Sequence, residues 1–219
     1  MREELPFNPL NKQNLGVSVA DALLGREVGP LPPTEPFIGA GIYTIYYAGD
    51  YPAYSRIADR NREGLYKAPI YVGKAVPAGA RKGGFGLGLN PGMVLFKRLE
   101  EHADSVKRSI NLNLSDFACR YLVTEDIWIP LAESLLIQMF EPAWNRLVDG
   151  FGNHDPGAGR HGQAKSRWDV LHPGRDWAGK LRGIHKAEQA VLLELDLFLS
   201  GEFVPPPQPP VADEGEISG

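Results

Sequence analysis

A chain of 219 residues that is 43% hydrophobic is long enough for one substantial core with one catalytic module and its embellishments, and too short for two full domains. No apolar run approaches the ~20 residues of a membrane span and no charged-then-apolar leader opens the sequence, so the expectation is a soluble, cytoplasmic protein. The single cysteine, Cys119, excludes an internal disulfide and a zinc–thiolate cluster, and its place in an alternating run predicts a buried strand thiol.

The net charge of −4 is unevenly spread. Residues 61–120 hold ten Lys/Arg against five Asp/Glu, and residues 146–186 hold eight against four. The acidic excess lies elsewhere: five against seven in 1–60, none against four in 121–145 and none against seven in 187–219. A basic face, and not the overall balance, is what neutralises phosphates, so the acidity of the whole does not argue against nucleic acid.

In chain order, residues 1–38 read as an N-terminal arm. Ser18 is placed to cap a short helix over 19–24, which the Gly/Pro run at 29–33 stops. Residues 39–47 read as a strand, with Tyr43, Ile45 and Tyr47 on one face and Ile42, Thr44 and Tyr46 on the other. A second strand over 68–73 is expected to end at Gly73, with an insert at 48–67 between the two. The loop at 74–92 carries Arg81 and Lys82 among glycines that let backbone approach a phosphate. It lacks Gly-Lys-Ser/Thr, so a nucleotide-binding loop is not expected.

From about Met93 to Ser109, apolar and basic residues recur at helical spacing, which sets Arg98 and His102 one turn apart on one face. Residues 116–123 alternate as a third strand, and Pro130 then opens a helix at its first turn. Glu133 sits in that helix among apolar residues. A carboxylate there is costly unless it is paired or bound to a cation, which makes Glu133 a candidate ligand. Residues 149–177 are Gly-rich and hold three of the five histidines with Arg160, Lys165, Arg167 and Arg175. His154 and His161, seven apart, do not match zinc-site spacing. A DNA-contacting loop is the better expectation, because Arg and Lys supply the donors that guanine O6 and N7 accept. Residues 183–200 read as a helix for core or interface, and the Pro-rich acidic stretch 203–219 as a disordered tail.

Taken together, Gly41-Ile42-Tyr43, Tyr71-Val72-Gly73-Lys74, Arg98 with His102, Glu133 and Asn145 resemble the GIY-YIG nuclease superfamily over about residues 41–145. Downstream, the runs 144–160 and 166–175 are similar to the Eco29kI-like branch of type II restriction endonucleases, which extends the likeness over most of the chain. The resemblance implies an α+β (mixed α/β) fold: a small central antiparallel or mixed sheet flanked by helices. It implies a catalytic core at 39–148, then a DNA-contacting loop and C-terminal helix at 149–202. The 48–67 insert exceeds the tight connection usual in the superfamily and marks a place for DNA or subunit contacts. The N-terminal arm is expected either to embrace DNA or the other subunit, or to dock loosely on its own chain.

The implied activity is site-specific hydrolysis of double-stranded DNA at a short palindrome, G/C-only and of the CCGCGG type. It would be performed by a homodimer, since a two-fold site needs two active centres. A companion DNA methyltransferase is the implied genetic partner. Glu133 would hold Mg²⁺, with Mn²⁺ as a substitute, because such an ion keeps several waters and takes further ligands from phosphate. Arg98 would donate to a non-bridging oxygen. The resemblance sets Tyr43 and Tyr71 beside nucleophile and phosphate, with Lys74 and His102 close, and has Asn145 position the phosphate or the glutamate. Tyr43, His102 and Lys74 are all open as the base, Tyr43 ranking first for contact with the water. Arg81, Lys82, Arg160, Lys165, Arg167 and Arg175 are the expected DNA contacts. The alternatives are a repair or homing-type nuclease on the same module and a non-catalytic nucleic-acid-binding protein. No zinc-ligand set or helix–hairpin–helix repeat follows Asn145, and both Glu133 and Arg98 are retained.

Overall fold

A computed structural model describes residues 11–77, 90–203 and 205. Arg81, Lys82 and nearly all of the 203–219 stretch lie outside the described residues. Strands β1 (Gly29–Pro30), β2 (Gly41–Tyr47), β3 (Pro69–Ala75) and β4 (Phe117–Val123) form one antiparallel sheet in the order β1-β4-β2-β3. The helices are α1 (Lys12–Leu24), α2 (Ser55–Ala58), α3 (Val94–Arg108), α4 (Ile129–Phe140), α5 (Ala143–Arg146), α6 (Arg167–Leu171) and α7 (Glu188–Ser200). This is the expected mixed fold, with every strand pair antiparallel.

The central strand β2 is buried along its whole length, so its two faces build two cores. Tyr43, Ile45 and Tyr47 point to α3, where Leu95, Leu99, Ala103 and Val106 close one layer with Trp144, Phe151 and Trp168. Ile42 and Val72 point the other way, to Ala20 and Leu23 of α1 and Ile129, Ala132 and Leu136 of α4. The alternation read from the sequence is therefore correct. Cys119 lies in β4 with 1% exposure, the buried strand thiol expected, and burial pushes it up to about 12.

Several boundaries differ. The first helix begins at Lys12 and not at 19, so Ser18 lies inside it and caps nothing. Ala20 and Leu23 are fully buried against α4, so the described part of the arm docks on its own chain. Strand β3 runs through Gly73 to Ala75, because ladder pairing with Gly41–Ile45 outweighs the weak strand preference of one glycine. The C-terminal helix begins at Glu188, later than the 183 expected, and it joins the core through Val191 and Leu195 while Leu193 faces outward. The 48–67 insert is held by Asn61. Its amide donates to the carbonyls of Tyr47 and Ala68 and accepts from the Ala68 N–H, closing the connection between β2 and β3.

Candidate active site

The site is built around β3, the edge of the sheet. Tyr43 stands opposite Gly73 and Ile45 opposite Tyr71, so both tyrosines project from the same sheet face, their ring centroids 6.2 Å apart. A Cβ at position 73 would overlap the Tyr43 hydroxyl and stand 2.9 Å from Tyr71 Cε1. Glycine here makes room for the two tyrosines to converge.

Helix α3 brings Arg98 and His102 to this face, one turn apart as the spacing predicts. His102 is buried, and its Nε2 lies 2.5 Å from the Tyr43 hydroxyl. Burial lowers its pKa well below the ordinary histidine value, and Arg98, His154 and Arg175 lower it further, so the ring is neutral at pH 7. Burial raises the Tyr43 phenol well above its usual range. Tyr71 adds to that rise, Arg98 opposes it, and the charge of Glu133 adds a smaller push. A neutral phenol beside a neutral imidazole makes a hydroxyl-to-nitrogen hydrogen bond, with His102 the acceptor when its proton sits on Nδ1.

Arg98 donates to several acceptors besides the Tyr43 hydroxyl. Its Nη1 donates to Glu101 Oε2 at 2.8 Å and to His154 Nε2 at 2.7 Å, and its Nη2 donates to the Gly152 carbonyl at 3.0 Å. Phe151 stacks on His102 with centroids 4.4 Å apart and planes 14° from parallel. A Cβ at Gly152 would lie 2.9 Å from Arg98 Nη2 and 3.2 Å from the Tyr71 hydroxyl, so a larger residue there would have to displace the Arg98 guanidinium.

Lys74 and Glu133 occupy the opposite face. Lys74 is opposite Ile42 in the ladder, and its Nζ meets Glu133 Oε2 at 2.8 Å. Glu133 is still near enough to the tyrosine group for its charge to act on Tyr43. Glu133 is 17% exposed, and its partner Lys74 resolves the cost of a carboxylate in an apolar helix. Among the described residues no cluster of three or more His, Cys, Asp or Glu could hold a metal. A single carboxylate suits an ion that keeps its waters and borrows phosphate oxygens, and does not suit an all-protein cage.

Asn145, in α5, has a backbone partner that the sequence expectation did not name. Its Oδ1 accepts from the Val72 N–H and its Nδ2 donates to the Val72 carbonyl, both at 2.8 Å. Both ends of the amide thus hold the edge of β3 between Tyr71 and Gly73. Arg175 corrects the expectation of a DNA contact. It is 3% exposed, pairs with Asp169 at 2.7 Å, and donates to the carbonyls of Gly150, Phe151 and Asn153. Trp168 and Trp177 cover its guanidinium, which cannot reach a DNA groove from there. Arg167 donates to the Leu147 carbonyl and pairs with Glu194. Arg160 is exposed and Lys165 half-buried, both on the 149–177 stretch.

Sequence reasoning set His154 aside with His161 as poor zinc spacing and gave Phe151 and Gly152 no role, although all three lie in the 144–160 run that carries the resemblance. Their individual contacts were not legible, since His154 and Gly152 reach Arg98 across 56 and 54 residues and Phe151 stacks on His102.

An edge strand carrying Tyr71 and Gly73, a central strand carrying Tyr43, and helices supplying Arg98, His102 and Glu133 are the parts of a GIY-YIG nuclease domain. The family model described as the Eco29kI GIY-YIG domain matches residues 35–199, and the chain belongs to that family. No curated protein matches the chain. Among the described residues no helix is long and apolar enough to cross a membrane.

Proposed function

We propose that this protein is a type II restriction endonuclease that hydrolyses double-stranded DNA at a short palindrome, G/C-only and of the CCGCGG type. Membership of the Eco29kI GIY-YIG family supports DNA cleavage, and the arrangement of Tyr43, His102 and Arg98 is the observation that carries the chemistry. Arg98 sits where a permanent cation can donate to non-bridging oxygens as their charge grows. Tyr43 is too poor an acid to be a phenolate at neutral pH, but it has a neutral histidine to receive its proton. In this reading the attacking water gives a proton to the Tyr43 oxygen while Tyr43 passes its own to His102 Nε2. Lys74, paired with Glu133, serves as a charge partner and not as the base. Tyr71 lines the same face beside Arg98.

Mg²⁺ fits the donor set: Glu133 would hold it, with Mn²⁺ as a substitute, and it would supply charge stabilisation at the phosphoryl oxygens. Lys74 would then release one oxygen of Glu133 and remain nearby. A homodimer follows from a palindromic target, since each strand needs its own centre. A companion methyltransferase, as genetic partner, would protect host DNA, and the compartment would be the cytoplasm.

The test is digestion of a long unmethylated DNA of known sequence with Mg²⁺, mapping every new end beside a Glu133→Gln control. Discrete ends at one palindrome, absent with the variant, are expected. Ends at lesions or at random positions would instead indicate a repair-type or non-specific nuclease. Full activity in Glu133→Gln would remove Glu133 as the metal ligand.

A further inference from the structure

His154 lies nine residues beyond the last motif residue and is 56% exposed, yet its position is tightly built. The turn that carries it is fixed from below by Arg175, whose guanidinium gathers three of the turn's carbonyls, those of Gly150, Phe151 and Asn153. Arg175 is itself held by the buried carboxylate of Asp169, which Ser166 also contacts. Such an arrangement commits a buried ion pair to the shape of one turn, and that turn delivers Phe151 onto His102 and His154 onto Arg98. An exposed ring held on a loop for no purpose would not need this foundation.

The contact with Arg98 has a definite chemistry. A guanidinium only donates, so His154 Nε2 is the acceptor at 2.7 Å and the neutral ring carries its proton on Nδ1. The same Nη1 also serves Glu101. A phosphate that took this donor would arrive within hydrogen-bond reach of the His154 ring, because both would share one edge of one guanidinium.

We propose that His154 is a catalytic residue of this site: when Arg98 passes from His154 to the scissile phosphate, the freed imidazole turns its N–H to a phosphoryl oxygen and shares its charge with Arg98. This rests on the nuclease reading above. It makes the Gly-rich turn after Asn145 a part of the catalytic centre as well as of any DNA-binding surface. One hydrogen bond to a charged oxygen corresponds to about tenfold to a hundredfold in rate.

The experiment is single-turnover cleavage, with protein in excess over a DNA whose cut sites the wild-type protein has mapped. His154→Ala and His154→Leu are compared, the second keeping bulk without a ring nitrogen, and thermal melting is recorded for both. Cleavage slowed at least about tenfold in both variants, at the same sites and with unchanged melting, is the expected result. Either variant cutting at the wild-type rate or faster overturns the proposal, and faster cutting would show that the ring only obstructs Arg98. A wild-type protein that cuts no DNA overturns the nuclease reading and this inference with it, a failure distinct from active but indifferent variants.

Discussion

Among the described residues two hydrogen-bonded tyrosine–histidine pairs are buried, and they are chemically alike. Tyr43 meets His102 at 2.5 Å beside the sheet edge, and Tyr54 meets His172 at 2.7 Å between the 48–67 insert and α6. In each, burial first of all raises the phenol and lowers the imidazole, so both partners are neutral. The surroundings separate them. Tyr54 also accepts from Trp144 Nε1 at 2.8 Å, and His172 Nδ1 donates to Asn111 Oδ1 at 3.0 Å, a chain in which both ring nitrogens and the hydroxyl are partnered. Tyr43 and His102 adjoin Arg98 and the β3 edge, where a guanidinium with several exchangeable acceptors waits. A buried Tyr–His pair is thus no signature of catalysis by itself; the neighbouring cation and the approach for a phosphate are what make one of them a candidate.

The strongest way to break this comparison is to remove one hydroxyl from each pair. Tyr43→Phe is expected to slow cleavage by about 10²- to 10⁴-fold, the range for a lost acid–base group, as read by single-turnover kinetics at fixed Mg²⁺. Its stability cost is smaller, about 1–3 kcal/mol for the His102 nitrogen left without a donor. Tyr54→Phe is expected to do the reverse. It orphans both His172 Nε2 and Trp144 Nε1, at about 1–3 kcal/mol each, and should lower the urea midpoint while cleavage per folded molecule stays near wild type. If Tyr54→Phe were the inactive variant and Tyr43→Phe the active one, the assignment of the two pairs would be inverted.

The smallest of the expected effects tests what the pairs share. His172 is pushed down to about 3 by burial and then by Arg175, and His102 is lowered too, by burial and then by the neighbouring cations. A histidine whose pKa falls on folding binds more protons in the unfolded chain. Its contribution to stability is therefore complete above the unfolded value near 6.5 and is lost as pH falls below it. Stability should decline from pH 7 toward pH 4, with a slope of at most about 1.4 kcal/mol per pH unit for each ring. Melting temperature against pH reads this directly. Replacing His172 by Gln should flatten part of the slope, and a flat wild-type profile would contradict burial of both rings.

Much of the fold was legible in the residues because its periods are local. Alternation in Gly41–Tyr47 assigned both faces of β2 correctly, and helical spacing put Arg98 and His102 on one side of α3. Glu133 stood out because a carboxylate in an apolar helix calls for a partner. Its charge partner Lys74 was named as a neighbour of Tyr71, but an odd spacing of three along a strand sends the two to opposite faces, and the pairing with Glu133 follows from that. The contact that Asn145 makes was not legible, because its amide bonds the backbone of a strand 73 residues away.

The sequence by itself determined the strand and helix types and the buried faces of the central strand, since those depend on neighbours within a turn or two. Only the tertiary structure decided that Arg175 is a buried foundation and not a DNA contact, that the N-terminal helix docks on its own chain, and that His154 reaches Arg98. Each of these is a choice between solvent and a partner far along the chain. Local propensity carries no information about such a choice, because the cost of burying a charge or the gain of pairing it exists only once the distant segments have met.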